Sequence, residues 1–300
     1  IGVTGVQTCA LPILQGGNVV ASLGAGTATV TGGVTTLGGT LGAVTVGISS
    51  GSLVLGGSDR LASGATLTLG GGALDMAGYN NTISVLNLNS GVLRGAGVLT
   101  AANYALAGGE VAGNLGAGAA VVSGLVSLTG TTEATTLDIS AGGVLTLGAS
   151  NRMGDATLLS INGGELAVGA FSDTVGTFTL NGGLLSGSGV LSASTYALQG
   201  GNVVASLGAG TATVTGGVTT LGGTLGAVTV GITSGSLVLG GSDRLASGAT
   251  VTLGGGALDM AGNSNTISVL NLNSGVLRGA GVLTATNYAL AGGEVRSEEH

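Results

Sequence analysis

Residues 51–76 read GSLVLGGSDRLASGATLTLGGGALDM, in which short runs of alternating apolar and polar residues are separated by glycine-rich steps. Alternation with a period of two is typical of β-strands, and glycine supplies the positive φ that tight corners require. Around this stretch, Gly-Gly or Ser-Gly pairs recur every 16 to 21 residues, ending at Gly17, Gly33, Gly51, Gly72, Gly91 and Gly109. The pattern predicts short strands joined by tight corners, with about 18 residues to each unit.

These units are grouped into a longer repeat of 92 residues. Residues 15–106, 107–198 and 199–290 align without net insertion, and a fourth copy begins at 291. The first and third copies are nearly identical, and the middle copy is more diverged. Self-similarity at a fixed period indicates a stacked repeat protein, in which each unit buries its apolar side chains only against its neighbours.

The two ends of the chain break the repeat. Residues 296–300, RSEEH, can be encoded by the DNA string AGATCGGAAGAGCAC. The reverse complement of that string, read in one frame, gives ALPI, residues 10–13, preceded by the last two nucleotides of a codon for Cys9. We therefore expect residues 1–13 and 296–300 to be translated sequencing-adapter DNA, which leaves 14–295 as a single solenoid of three repeats and the start of a fourth. The excluded ends hold the only cysteine, proline and histidine of the chain, Cys9, Pro12 and His300.

The composition favours an all-β fold. Glycine accounts for 65 of the 300 residues, and each interior glycine costs a helix about 1 kcal/mol relative to alanine. Collagen is excluded because glycine has no three-residue period and proline is almost absent. Disorder is disfavoured because 44% of the residues are hydrophobic and only 6% are charged.

We therefore predict a right-handed parallel β-helix, or β-solenoid, of about 15 coils with ~18 residues each. A single coil buries too little apolar surface to offset the entropy of ordering it, so stability must grow with stacking. The alternative is three tandem β-sandwich domains, since 92 residues is a suitable length for one immunoglobulin-like domain. The absence of tryptophan and the finer glycine spacing argue against it.

The charge balance limits the choice of partners. The net charge is −7, and the chain has six arginines and no lysine. Since the sequence holds no basic cluster, we expect no nucleic-acid partner. The absence of lysine, and of cysteine outside the excluded end, is consistent with an exported bacterial surface protein.

Several stretches resemble the β-strand repeats of autotransporter passengers and of filamentous-haemagglutinin-type adhesins. The stretches are GSLVLGGSDRL at 51–61, GATLTLGGGALDM at 64–76, TISVLNLNSG at 82–91 and LRGAGVLT at 93–100. The resemblance covers 14–295. It implies an extracellular right-handed β-helix on the surface of a Gram-negative bacterium, exported through an outer-membrane translocator that lies outside this sequence. Host or neighbouring-cell glycans or proteins are the partners that it implies.

Residues that could carry out chemistry are scarce. Serine and threonine have no histidine beside them to act as a base, and zinc lacks its usual ligands. The only local group of acids is Asp155, Glu165 and Asp173, in the middle copy, and such a group is more often solubilising than catalytic. We predict no catalytic, cofactor-binding or metal-binding residue, and no enzymatic activity.

Three other recurrent features have alternative interpretations. Asp59 and Asp243 each precede an arginine, which suggests a local ion pair, and we expect these charges to lie at solvated corners. The arginines at this position could instead form a ligand-binding stripe: Arg60, Arg152 and Arg244. The tyrosines that recur every 92 residues could pack at corners or contact a partner: Tyr104, Tyr196 and Tyr288. Outward threonines could form an ice-binding face, as at Thr27, Thr29 and Thr31, but we expect their spacing not to persist from coil to coil.

The function predicted from these observations is a structural or adhesive rod segment of a secreted bacterial surface protein. The alternatives are a β-helical enzyme that acts on polysaccharide, which would require a charged groove at one coil level, and an array that binds ice or mineral.

Overall fold

The computed structural model describes residues 12–297. Of the segments predicted to derive from sequencing adapters, 1–11 and 298–300 lie outside the described residues. The described chain forms two compact units, 12–118 and 119–297. Within these residues every regular element is a β-strand, and none is a helix that could cross a membrane.

The first unit contains ten strands. They are β1 (Ile13–Leu14), β2 (Gly17–Val19), β3 (Thr27–Leu37), β4 (Thr45–Leu55), β5 (Thr66–Leu69), β6 (Ala73–Asp75), β7 (Asn81–Leu88), β8 (Val92–Arg94), β9 (Val98–Val111) and β10 (Asn114–Leu115). The pairings within this unit are parallel, and each strand lies beside the strand one coil later.

The second unit contains nineteen strands. In its first half these are β11 (Ala119–Leu128), β12 (Thr131–Thr132), β13 (Thr136–Ser140), β14 (Val144–Leu147), β15 (Leu158–Asn162), β16 (Glu165–Ala167), β17 (Asp173–Leu180), β18 (Leu184–Ser186), β19 (Val190–Leu198) and β20 (Gly201–Val203). The remainder are β21 (Ser206–Leu207), β22 (Thr211–Leu221), β23 (Thr229–Leu239), β24 (Thr250–Leu253), β25 (Ala257–Asp259), β26 (Asn265–Leu272), β27 (Val276–Arg278), β28 (Leu283–Leu290) and β29 (Glu294–Arg296).

Each coil has three faces, which the second unit shows clearly. Face A is the ladder that runs through β13, β15 and the end of β17. Face B follows a glycine corner and runs through β14, β16 and β18. Face C is short and includes the start of β17 paired with the start of β19. The same three faces recur in the first unit, where β5 and β6 belong to faces A and B.

Alternate side chains point into the coil and are aliphatic. On face A of the second unit, Leu159 and Ile161 are at most 1% exposed, while Ser160 between them points outward and is only half-buried. The residues that stack on them, Phe178 and Leu180, are fully buried. This period-two pattern builds a dry core along each stack, as the alternation in the sequence predicts.

The predicted β-solenoid is confirmed. Parallel coils about 18 residues apart make about 16 turns in the described residues, close to the predicted number. The alternative of three tandem β-sandwich domains is wrong, because the strands pair in parallel with the next coil and not in antiparallel sheets. The predicted right-handed winding stays a prediction.

The glycine pairs of the sequence form a column at the corner between faces A and B, which we call the glycine spine. In the first unit it contains Gly33, Gly51, Gly72, Gly91 and Gly109, and in the second unit Gly143, Gly164, Gly183, Gly201, Gly217, Gly235, Gly256, Gly275 and Gly293. A Cβ on any of these residues would lie within 3.0 Å of backbone in the preceding coil or of an aliphatic side chain. The spine is required because ladder hydrogen bonds hold the coils together here, as in Leu184 N donating to Gly164 O at 2.9 Å.

Candidate functional site

The three acids of the middle copy lie on different parts of the coil. Asp173 begins face C and is 2% exposed, whereas Glu165 stands on face B. Asp155 is exposed in the turn that leads from face C to face A. Asp155 and Asp173 are 18 residues apart, which is about one coil, and Glu165 lies between them in sequence on another face. The arrangement does not bring Glu165 and Asp173 together as a catalytic carboxylate pair would require.

Asp173 is occupied as the cap of a turn. Its carboxylate accepts hydrogen bonds from the backbone nitrogens of Arg152 at 2.7 Å, Met153 at 3.3 Å and Thr174 at 2.9 Å. Burial raises the pKa of Asp173, the charge of Asp155 adds to this rise, and the three backbone donors oppose it. The Asp173 carboxylate therefore stabilises the backbone where the chain passes from face B to face C.

The other two copies confirm this structural role with a neutral residue. Asn81 Oδ1 accepts from Arg60 N at 2.7 Å, and Asn265 Oδ1 accepts from Arg244 N at 2.7 Å. Both asparagines are 92 residues from Asp173 and equally buried. An uncharged side chain thus accepts the hydrogen bonds from the arginine and from the residue after it, as Asn81 does from Leu61 N at 3.2 Å, so the negative charge of Asp173 is not needed for these two bonds.

The predicted ion pair between adjacent aspartate and arginine is wrong. Asp59 and Asp243 have φ of 55° and 54°, a left-handed conformation that aspartate and asparagine tolerate better than most residues. The arginine side chain after each aspartate lies over a glycine. At Arg60 this glycine is Gly57, where an added Cβ would be only 2.5 Å from the arginine Nε. The ion pairs among the described residues include Arg94–Asp75, Arg278–Asp259 and Arg296–Glu294.

The arginine stripe is not continuous in the second unit. Arg152 and Arg244 occupy the same position of the long repeat, but they are 92 residues and therefore five coils apart. Arg152 differs in its contacts because Ala149 stands where the other copies have glycine, and it donates to Ser150 O at 2.9 Å and Thr129 O at 3.2 Å. In the first unit, Arg60 holds this position alone.

Two of the recurrent tyrosines, Tyr104 and Tyr196, are packed in the interior, but they point inward from face A, where they pair with Leu86 and Phe178, and not from a corner. Tyr104 and Tyr196 are 1% exposed, and burial raises the pKa of both hydroxyls. The Tyr104 hydroxyl accepts from Ala101 N at 2.8 Å and lies 3.0 Å from Gly116 O, to which it can donate. Tyr288 keeps the same contact with the backbone, Ala285 N to its hydroxyl at 2.8 Å, but is 52% exposed.

Threonines form one persistent column on the outer side of face A, although the spacing of Thr27, Thr29 and Thr31 does not persist: the next coil has Thr45, Gly47 and Ser50 at these positions. In the second unit five in-register coils carry threonine at one position: Thr177, Thr195, Thr211, Thr229 and Thr250. The first unit has the corresponding column Thr27, Thr45 and Thr66. All of these threonines are exposed or half-buried. Thr29 lies two residues further along face A, and Thr31 pairs with Ser50 where the strand bends.

The adjoining column is incomplete. Its threonines are Thr179, Thr213 and Thr252, and Ala197 and Gly231 stand between them. Neighbouring coils are about 4.8 Å apart and outward residues on one strand about 6.6 Å apart, so face A carries one regular column of hydroxyl and methyl groups beside an interrupted one.

A groove of about 420 Å³ opens at the corner between faces A and B of the second unit. Its floor is part of the glycine spine, formed by Gly143, Gly164, Gly183 and Gly201. The face B rim carries Val144, Glu165, Leu184 and Asn202, which stack in register on successive coils. Glu165 accepts a hydrogen bond from Ser186 Oγ at 2.5 Å, which holds its carboxylate on the rim.

The described residues contain no group of three or more histidine, cysteine, aspartate or glutamate side chains arranged to hold a metal ion. Comparison of the chain with protein-family models, with curated proteins and with solved structures gives no match.

Proposed function

We propose that this chain is a structural and adhesive segment of a secreted bacterial surface protein, without catalytic activity, of the kind found in autotransporter or filamentous-haemagglutinin passengers. Its place would be the exterior of a Gram-negative cell. Its partners would be glycans or proteins on host or neighbouring cells, and an outer-membrane translocator would export it.

The observation that carries this proposal is the uniform interior of the coils. Inward positions are filled by aliphatic side chains over coil after coil, and the glycine spine allows each coil to approach the next. The chain thus repeats one structural unit, and a surface segment gains reach by adding such units. The few candidate acids support the same proposal, because Asp173 serves as a turn cap and Glu165 stands on a different face.

The proposal is tested by displaying residues 14–295 on a non-adherent Gram-negative cell, fused to an outer-membrane translocator barrel. We expect cells with the display to attach to host-cell monolayers or to one another more than cells that display the barrel alone. The purified segment should release no reducing sugar from polysaccharides. Sugar release that is abolished by Asp155→Asn or Glu165→Gln would contradict the proposal and favour the β-helical enzyme.

The threonine columns favour a second candidate function, binding to an ordered surface such as ice or a mineral. A regular array of hydroxyl and methyl groups on a parallel sheet can match a repeating lattice, whereas a flexible surface cannot. The test is thermal hysteresis of the purified segment. Hysteresis that is lost on Thr211→Tyr, at the centre of the column, and kept on Thr266→Tyr, on face C, would select this candidate. Absence of hysteresis in the unmodified segment would reject ice as the surface.

A further inference from the structure

The groove at the glycine corner has side chains that belong to the middle copy alone. Glu165 on its rim is replaced by Ala73 and Ala257 in the other copies, 92 residues away. Asn162, two residues before the spine glycine Gly164, is replaced by Gly70 and Gly254 in the same way. The corner is therefore built in all three copies, but only the middle copy equips it with this carboxylate and carboxamide.

The carboxamide that lines the groove is Asn202, and a ladder of polar side chains runs along face A beside the groove, outside its lining. Asn162 Nδ2 donates to Asp138 Oδ1 at 2.5 Å, and Asn181 Nδ2 donates to Asn162 Oδ1 at 3.3 Å. The three side chains are exposed or half-buried and lie on successive coils. Each amide nitrogen has a second hydrogen, and the oxygens have further lone pairs, so the ladder can still donate and accept.

The opposite rim combines one carboxylate with aliphatic side chains. Val144 and Leu184 flank Glu165 in register, and Leu125, which stacks on Val144, is 72% exposed. The bond from Ser186 uses one acceptor site of the Glu165 carboxylate, which has about four such sites in all. The groove thus offers fixed hydrogen-bonding groups next to apolar side chains.

These groups select the class of ligand. The charged side chains at the groove and its ladder, Glu165 and Asp138, are both acidic, which disfavours an anionic ligand. An extended peptide would need an open strand edge for its backbone, but the floor is already paired, with Asn202 N donating to Gly183 O at 2.8 Å. A saccharide fits better, because its hydroxyls can both donate to carboxylate and accept from carboxamide while its C–H groups contact Val144 and Leu184.

We propose that the groove binds a linear, uncharged oligosaccharide laid along the stack, across the four coils that supply its floor. The first and last floor glycines are three coil steps apart, about 14 Å, which is room for a few sugar units. This inference rests on the proposed adhesive function and identifies one class of partner for it.

The test is an NMR titration of isotope-labelled segment 14–295 with two probes, the linear β-1,4-linked hexaoses of glucose and of N-acetylglucosamine. At least one hexaose should shift the amide signals of Gly143, Glu165, Leu184 and Asn202 and leave those of the threonine columns unchanged. Glu165→Ala should weaken binding about tenfold or more, through the loss of a hydrogen bond to a charged group. Since two copies naturally carry alanine there, this variant should fold.

Asp155→Ala is the matched control, because it also removes one exposed acid from the middle copy but lies outside the groove, and it should bind as the unmodified chain does. Absence of shifts with both hexaoses, shifts confined to other faces, or equal binding by the Glu165→Ala variant would overturn the inference and leave the adhesive proposal standing. Cleavage of a bound hexaose would instead contradict the non-catalytic proposal and leave the binding site in place.

Discussion

The carbonyl oxygen of Gly164 lies 2.5 Å from the point that a Cβ on Gly183 would occupy. Real Cβ atoms do not approach backbone so closely, so no other residue fits Gly183 unless the coils separate. The same oxygen accepts the hydrogen bond from Leu184 N at 2.9 Å, which prevents that separation. The glycine spacing of the sequence therefore records the places where successive coils touch.

A first prediction compares two neighbouring glycines at this corner. Gly183→Ala should destabilise the segment more than Gly182→Ala, because both positions have positive φ but a Cβ on Gly182 meets nothing within 4 Å. The left-handed conformation alone costs alanine about 1–2 kcal/mol, and the clash at Gly183 should add about 1–3 kcal/mol. Urea unfolding followed by circular dichroism measures both. Equal midpoints for the two variants would show that the coils are not in contact at the spine.

A second prediction concerns pH. Burial raises the pKa of Asp173 above its ordinary value of 3.8, so the folded state holds the proton more tightly than the unfolded chain. The contribution of this group to stability is complete below pH 3.8 and is lost as pH rises through the folded-state pKa. Asp173→Asn, which installs the residue of the other two copies, should remove this part of the pH dependence, so that its urea midpoint gains on that of the unmodified chain as pH rises. The buried Nδ2, which has no partner in Asn81 or Asn265, should lower the midpoint by an amount that does not depend on pH.

The control for the pH experiment is Asp243→Asn, which makes a similar exchange at an exposed turn position where the middle copy already has Asn151. It should leave the shape of the pH profile unchanged. A midpoint difference between Asp173→Asn and the unmodified chain that stays constant with pH would contradict the prediction.

A third prediction uses the recurrent tyrosines. Tyr104→Phe should cost about 1–3 kcal/mol, since it leaves the buried Ala101 N–H without its 2.8 Å acceptor. Tyr288→Phe removes the equivalent hydroxyl at a position that is 52% exposed, where water can replace it. Its cost should stay within about 0.5 kcal/mol. The comparison of the two unfolding free energies is the measurement, and equal losses would contradict the buried position of Tyr104.

A fourth prediction separates the two roles of Asp75. Its Oδ2 pairs with Arg94 Nε at 3.0 Å on the surface, and its Oδ1 accepts from Ala77 N at 2.9 Å, where Ala77 has φ of 49°. Arg94→Ala should cost only about 0.2–1 kcal/mol, and less in high salt. Asp75→Ala should cost a further 0.5–2 kcal/mol, roughly the value of a capping side chain, and that part should not depend on salt. A double-mutant cycle at two salt concentrations distinguishes the terms.

The sequence predicts the class of fold because its two main signals are local. Alternation sets which side chains point inward, as at Leu67 and Leu69 of β5, and the glycine pairs mark the corners. Neither signal needs knowledge of which coil neighbours which. The turn-capping hydrogen bonds are harder to predict from the sequence. Asn81 contacts Arg60, 21 residues earlier, and only the stacking of coils brings the two together.

The threonine columns escape a search at fixed spacing for a physical reason. Thr177, Thr195, Thr211, Thr229 and Thr250 are separated by 18, 16, 18 and 21 residues, since the corners absorb insertions while the strands keep register. The acids of the middle copy show the opposite effect, because closeness in sequence does not bring all of them together in space. Asp155, Glu165 and Asp173 are close in sequence, but Glu165 is only part of a coil away from the other two and stands on a different face. Side chains meet at a full-coil separation, as Asp75 and Arg94 do, and the charge of Asp155 likewise acts on Asp173, 18 residues later.

The parallel stacking itself is tested most directly by distances between nitroxide labels on one face A column of the second unit, in a Cys9→Ser background. With labels at Thr136 and Thr229, five coil steps apart in the ladder, electron–electron double resonance should give about 24 Å, and with labels at Thr136 and Thr250, six steps apart, about 29 Å. The account predicts narrow distributions that lengthen by about 4.8 Å for each added coil. Distances that do not follow the number of coils, or broad distributions at both pairs, would contradict it.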